Sequence, residues 1–567
     1  MSQFQFLHWI KNYKASYLSG DLTAGITVGV MLIPQGMAYA MLAGMPPIFG
    51  LYCATIPLII YAFLGSSPQL AVGPVALVSL LVASSIGLLA ETTSESYILY
   101  AVTLSLMVGI ILFAMGVFRL GFLVNFLSHP VIAGFISAAA IIIGVSQLKH
   151  IFGIDIPRSS FSNMLSDTFS AIGQTNPCSL AIGITTMAFL FISKKIDKRI
   201  PGALIVVILS IFAVKLLNLE SQGLKLIGEV PAGLPAISIP SFDMGIIKTL
   251  LPIALTISFI GFMESIAVAK AIQKKHKDYH ILPNQELIAL GAANIFGSFF
   301  QAYPVVGGFG RSAVNDQAGA KSGLASIISA IIIILTLLFF TDLFQKLPMA
   351  VLAAIIIVAV IGLIDFKEAQ FLWKNDKRDF SLFLITAIAT LVFGIEEGIL
   401  AGVLLSIGLL IYRVSNPHSA VLGKVPGSAG YRNIDRFDHL KTEEDILIIR
   451  FDGRIYFANA PSFRETISTN IERFPDAKFI LIDASSINGL DSTAVHMLQD
   501  IDAELQEKGK SLCFASVKGP IRDIMHKYEI INEENAWKFF LSIDDGVQAL
   551  TSGNPHQHTS YVTQRSN

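Results

Sequence analysis

Ala71-Val-Gly-Pro-Val-Ala76 and Gly307-Gly-Phe-Gly-Arg-Ser-Ala313 open two apolar segments that are broken by Gly and Pro, and the places they occupy decide the fold. Each begins the third apolar segment of its half of the chain: counting from residue 22 the first is segment three, and counting from 248 the second is segment ten. Paired interrupted segments at matching places are the sequence sign of a transporter built from inverted repeats, with its site near the middle of the membrane. Pro74 suits the first turn of a helix, where its missing N–H would have no partner anyway.

Composition places both segments in lipid. Of 567 residues, 53% are hydrophobic and 14% charged, against about 25% charged in soluble domains. Apolar runs occupy roughly 22–43, 48–64, 71–90, 97–117, 122–148, 179–193, 201–217, 248–270, 284–299, 310–320, 323–341, 348–364, 380–395 and 398–412. Many approach the roughly 20 residues that a spanning helix needs. The basic clusters Lys194, Lys195, Lys198 and Arg199, then Lys270, Lys274, Lys275 and Lys277, then Lys367, Lys374, Lys377 and Arg378 belong on the cytoplasmic side. Alternation of the segments puts all three on one face. It sends Glu91, Glu95, Glu396 and Glu397 to the other and leaves both termini cytoplasmic. The expected location is a cell membrane, the inner membrane of a bacterium. The first twenty residues lack an apolar run with a cleavage site, so a retained first helix is expected to direct insertion.

The net charge of −1 gives no sign of nucleic-acid binding. Cys53, Cys178 and Cys513 are scattered and have no metal-ligand spacing, so neither a disulfide framework nor a metal site is expected. No nucleophile with a base, metal set or phosphate loop suggests an enzyme, and no cofactor is expected.

A helix that ends inside the bilayer leaves unpaired N–H groups and a partial positive charge at its N-terminus. Such ends are tolerated only where protein or a water-filled cavity receives them. If the halves pack antiparallel, the starts near Val75 and Arg311 face each other across a gap suited to an anion. Arg311 adds a full charge and Ser312 a hydroxyl. Glu264 is the carboxylate inside the run 250–269, where desolvation favours its neutral form and makes it a candidate for taking and releasing a proton. Gln35 follows the helix-breaking Pro34, and Tyr39 lies one turn further along the same face.

After Arg413, Pro417, Gly423, Pro426 and Gly427 read as a linker. Ile446–Phe451, Phe479–Asp483 and Ser511–Ala515 read as buried strands, each followed by a helical pattern. The expected organisation is a membrane domain over 1–413, a linker over 414–439, a soluble α/β domain over 440–550 and a polar tail over 551–567.

Pro47-Ile-Phe-Gly-Leu-Tyr52 with Gly65-Ser-Ser67, Ser128-His-Pro-Val-Ile-Ala-Gly-Phe135, Met263-Glu-Ser-Ile-Ala267 and Gly310-Arg-Ser-Ala-Val-Asn315 together resemble the SulP family of sulfate permeases, which also holds the solute-carrier-26 anion transporters. Pro68 departs from the Lys or Arg common at its place. Leu481-Ile-Asp-Ala-Ser-Ser-Ile-Asn-Gly-Leu-Asp-Ser-Thr493 resembles the STAS module that ends most such proteins. By that alignment Ser492 falls at the serine that anti-sigma-factor antagonists present for phosphorylation. Its plain reading is a polar residue near a helix cap.

The resemblance implies an α-helical polytopic membrane protein of fourteen segments in a seven-plus-seven inverted repeat, with a core and a gate, assembled as a homodimer. It implies an anion between segments three and ten, contacted by segment one and moved by an elevator-like displacement of the core. The expected substrate contacts are Gln35, Tyr39, Gly73, Val75, Ala76, Gly310, Arg311 and Ser312, with Glu264 coupling a proton. Gly308 and Gly310 stand where plant-like sulfate carriers tend to have serines, so hydroxyl ligands are fewer. The first reading is proton-coupled sulfate uptake, with bicarbonate or another anion as the alternative. A nucleobase permease shares the implied fold but would lack the STAS module and the charge at Arg311. A scaffold that senses anions, with a cytoplasmic protein partner on the soluble domain, is the reading from a different class. Expected partners are therefore an inorganic anion, protons, lipid and a second copy.

Overall fold

A computed structural model describes residues 8–122, 128–156, 161–196, 202–228, 230–276 and 279–552. The chain divides after Ser406 into two compact units. The first half of the larger unit runs through α1 (Leu18–Leu42), α2 (Pro47–Tyr52), α3 (Ile56–Leu64), a short strand β1 (Val72–Gly73), α4 (Ala76–Ile86), α5 (Glu95–Val117), α6 (His129–Phe152), α7 (Pro177–Ile196) and α8 (Gly202–Leu217). The second half runs through α9 (Met244–Gln273), α10 (Pro283–Ser298), β2 (Val306–Gly307), α11 (Phe309–Gln317), α12 (Leu324–Phe339), α13 (Met349–Ile361), α14 (Lys377–Phe393) and the start of α15 (Ile395–Ser415), a helix that continues past the division. Taking α2 and α3 as one broken segment, the helices fall into two sets of seven. Among the described residues, six helical stretches, beginning at Ala15, Pro47, Glu95, His129, Met244 and Met349, are long and apolar enough to cross a membrane, and shorter apolar helices fill other places.

The repeat is visible in its irregularities. In each half the third segment is a short helix preceded by a strand of two residues. A further amphipathic helix, Phe161–Ser170 or Phe366–Asn375, follows the fifth segment of each half. Sequence periodicity gave neither helix as an element, because each is short and half polar. The segment expected over 71–90 is helical only from Ala76 to Ile86. Pro74 and Gly73 hold the preceding backbone extended.

The helices pack in two groups. α5 lies along α10 and α1 along α12, whereas α6 packs on α13 and α14, and α7 on α8 and α13. Close approach accounts for part of this: a Cβ at Gly291 of α10 would lie 2.5 Å from the Phe113 nitrogen of α5, so only glycine lets these backbones meet. The main packing between the groups runs through α1, against α8 and α13, and through α4, against α6.

The smaller unit is a six-stranded sheet ordered Tyr431–Asn433, Ser419–Lys424, Ile446–Phe451, Phe479–Asp483, Ser511–Ala515, Phe539–Phe540. The last four strands are parallel, and Ser419–Lys424 pairs antiparallel with Ile446–Phe451. Side chains alternate between two cores: Leu447, Ile449 and Phe451 pack on one face, and Ile446 and Ile448 on the other. That is the two-residue period of a sheet covered on both sides. The three strands expected here have the bounds expected. The stretch 414–439, read as a linker, instead carries two strands of this sheet. Of the residues that suggest a linker, Gly423 lies within a strand, Pro417 precedes it, and Pro426 and Gly427 follow its end. Residues 553–567 of the expected tail lie outside the described residues.

Candidate functional site: two half-helices crossing at Arg311

β1 and β2 pair antiparallel, Val72 with Gly307 and Gly73 with Val306. This pairing brings together the N-termini of α4, capped by Val75, and α11, capped by Gly308. Neither cap carries a side-chain hydrogen bond. Two helix starts therefore present N–H groups and dipole ends to one region. α9 braces the crossing: the Ser265 hydroxyl accepts from the Gly307 N–H at 2.8 Å and donates to the Gly261 carbonyl at 2.6 Å.

Arg311 sits in the first turn of α11, two residues further in than the start expected there, and is 3% exposed. Its Nη1 donates to the Pro74 carbonyl at 2.7 Å. Nε and Nη2 are buried without a partner. A buried donor left unsatisfied costs about 1–3 kcal/mol, more if charged, so this guanidinium calls for an acceptor that none of the described residues supplies. Tyr39, Glu264 and Tyr303 are its electrostatic neighbours. Glu264 Oε2 and Gln35 Oε1 are likewise buried without partners. An amide can turn to offer its NH₂ instead.

The expected residues divide accordingly. Tyr39, Glu264 and Arg311 converge, and Gln35 lies one turn before Tyr39 on α1 with its Oε1 unpartnered. Gly73 lines the guanidinium, since a Cβ there would lie 3.4 Å from Nη2. Val75 and Ala76 supply the cap and the first helical residue of α4. Ser312 is used otherwise: its hydroxyl donates to the Gly308 carbonyl at 2.7 Å and accepts from the Ala71 N–H at 2.9 Å. With its one proton committed, it holds the crossing together and has no donor left for an anion. Gly310 is exposed, and a Cβ there would meet nothing within 4 Å. Ser492 is exposed at the first position of the helix Ser492–Glu507, beside the cap Asp491, whose carboxylate accepts from the Ala494 N–H at 2.8 Å.

Three contributors lie outside the expected substrate contacts, although Gly308 and Pro74 belong to the sequence breaks that mark the crossing. Gly308 lies flush against Arg311: a Cβ there would come within 2.7 Å of Nη2. Pro74 contributes its carbonyl, which no side-chain pattern announces. Tyr303 is fully buried, with its hydroxyl 3.3 Å from Ser79 Oγ of α4. A second buried carboxylate, Glu286, is not part of the crossing. It accepts from Tyr61 OH at 2.8 Å and from the Ser66 N–H and hydroxyl, both at 2.7 Å.

A buried, partly unsatisfied cation at two facing half-helix starts, in a helical membrane protein of inverted repeats, defines a membrane transporter fold. The comparisons with known proteins agree. The Sulfate permease family model matches residues 18–386 and the STAS domain model residues 439–546. The chain belongs to the sulfate permease family and ends in a STAS domain. It is 41% identical to Sulfate transporter 4.1, chloroplastic, of Arabidopsis thaliana, over 96% of this chain and 82% of the relative. It is 35% identical to Sulfate transporter 3.1 of the same plant, over 96% and 86%. Among solved structures, murine Solute Carrier 26 family member A9, an anion transporter in the inward-facing state, superposes with a TM-score of 0.88 at 25% identity, covering 97% of this chain and 94% of that one. The transmembrane domain of a cyanobacterial bicarbonate transporter gives 0.61 at 23% identity, over 70% and 98%.

Proposed function

We propose that the protein is a secondary transporter that takes up a small inorganic oxyanion, sulfate before bicarbonate, together with a proton. The observation that carries this reading is the pair of unpartnered groups at the crossing: Arg311 with free N–H groups and Glu264 with a free oxygen. An anion accepts from Arg311 and from the N-termini of α4 and α11. A deprotonated Glu264 beside it would repel it. A protonated Glu264 does not, and can itself donate a hydrogen bond, so binding of proton and anion favour each other. The names of the plant relatives support sulfate.

In this reading the group of α1–α5 and α9–α12 is the moving core, because it carries every residue of the site. The group of α6–α8, α13 and α14 is the gate. The protein works as a homodimer with the basic clusters and the STAS domain in the cytoplasm, where the STAS domain takes a protein partner. Uptake of labelled sulfate into proteoliposomes, with bicarbonate as competitor and with or without an inward proton gradient, tests the proposal. Saturable uptake driven by the gradient is expected. Sulfate bound without net movement, gradient or not, would favour a sensing scaffold.

A further inference from the structure

The amphipathic helix Phe366–Asn375 meets the first turn of α14 at a corner bearing Lys367, Lys374, Lys377 and Arg378, all exposed. Neighbouring carboxylates are engaged elsewhere. Asp365 caps its own helix by accepting from the Glu368 N–H at 2.9 Å, and Asp376 caps α14 by accepting from the N–H groups of Arg378 and Asp379. Glu368 lies 3.2 Å from His129, and Asp379 is half-buried in the first turn of α14. None of the four cations forms an ion pair among the described residues; Lys377 instead lies 5.8 Å from the centre of the Trp373 ring.

Helix electrostatics account for Lys374, in the last turn of its helix, but not for the other two cations beside it. Lys377 and Arg378 occupy the first turn of α14, where the helix dipole disfavours cations. The same corner exposes Phe366, Phe371 and Trp373, at 74%, 60% and 57%. Aromatic residues beside cations suit the level of lipid headgroups. The corresponding helix of the first half, Phe161–Ser170, contains no Lys or Arg. Inverted repeats place the two helices at opposite membrane faces, so the charge marks one leaflet only.

We propose that this corner is a binding site for the phosphate of an anionic phospholipid, held by Lys374, Lys377 and Arg378, with the acyl chains beside Phe371 and Trp373. Exposed aromatics select a lipid over a free phosphate. The helix is tied to α6 through Glu368 and His129, and through the Asp365 N–H donating to Ser137 Oγ at 3.3 Å. A bound lipid therefore fastens α6 and α14 to one leaflet while the other group is free to move. The site depends on the membrane orientation of the fold and not on which anion is carried.

Native mass spectrometry of the full chain, released from nanodiscs and titrated with phosphatidylglycerol or phosphatidylcholine, tests it without a transport assay. Phosphatidylglycerol is expected to bind in preference, and the combined K374Q, K377Q and R378Q chain to bind it tenfold or more weakly, on the order of what several basic residues contribute at a charged surface. R378Q alone, the smallest change, is expected to show part of that loss. The control K270Q with K274Q, at another basic cluster, is expected to bind as the unaltered chain does. Equal binding by the unaltered and triple-substituted chains would overturn the site, as would an equal loss in the control. Displacement of the lipid by soluble glycerol 3-phosphate at comparable concentration would also overturn it, because it would show a free-phosphate site.

Discussion

Gly308 and Arg311 stand so close that the glycine's missing side chain is the space the guanidinium occupies: a Cβ at 308 would lie 2.7 Å from Nη2 and 2.8 Å from Cζ. The Pro74 carbonyl accepts from Nη1 of the same group. Gly308→Ala should therefore displace Arg311 without unfolding the crossing and weaken sulfate binding about tenfold or more, roughly the 1.4 kcal/mol that one well-placed charged hydrogen bond is worth. Gly310→Ser, which meets open space, should leave affinity within about twofold, a difference under roughly 0.5 kcal/mol. Isothermal titration of both variants checks the contrast, and equal effects would show that position 308 does not shape the site.

Removing the charge itself should be more damaging. Arg311→Ala should abolish measurable anion binding, while Arg311→Lys should retain part of it, because a point charge replaces some of the electrostatics but not the planar fork that reaches both Pro74 and a ligand. Thermal-shift titration with sulfate and bicarbonate separates the two. Binding unchanged in both variants would place the anion elsewhere.

Glu264→Gln mimics the neutral carboxyl and is expected to keep the fold and anion binding. It should exchange anion for anion across a liposome membrane but no longer accumulate anion in response to an imposed proton gradient. The measurement is flux with and without the gradient. A response as steep as that of the unaltered protein would make Glu264 a structural residue.

The soluble domain carries a separate pH dependence. A hydrogen bond from Lys424 holds the Asp544 carboxyl below the usual carboxylate range. Its folded value lies below its unfolded one, so the stabilisation is fully present above the unfolded value of about 4 and is lost as pH falls through the folded value. Hydrogen exchange in the helix Ile543–Thr551 should accelerate below about pH 4, beyond the intrinsic pH effect. Asp544→Asn should show the faster exchange already at neutral pH. An identical pH profile in the variant would remove this pair as the cause.

Much of the membrane fold was legible because burial in lipid leaves an unusually simple record. A spanning segment must be apolar along its whole length, and the breaks around Gly73, Pro74 and Gly308 could not be absorbed into such segments, so they marked the crossing. The strands of the soluble domain were legible for a related reason: Ile446–Phe451 and Phe479–Asp483 are buried on both faces and read as continuous apolar runs. The helices Phe161–Ser170 and Phe366–Asn375 and the strand Ser419–Lys424 were not, because short half-polar elements carry too few residues for a period to stand out.

By itself, then, the sequence determined which segments are apolar enough to lie in lipid, where each half is interrupted, and that Glu264 and Arg311 are charges the bilayer would not tolerate without purpose, since each follows from the cost of placing particular groups in hydrocarbon. Only the tertiary structure decided which groups are left unpartnered at the crossing. Ser312 and Arg311 are adjacent in sequence and similar in promise, yet the Ser312 proton is committed to Gly308 while Arg311 keeps Nε and Nη2 unpartnered. That difference depends on the pairing of Val72 with Gly307, two residues 235 positions apart in the numbering. Hydrogen bonds are consumed pairwise, and no property of either residue alone records which partner folding brings to it.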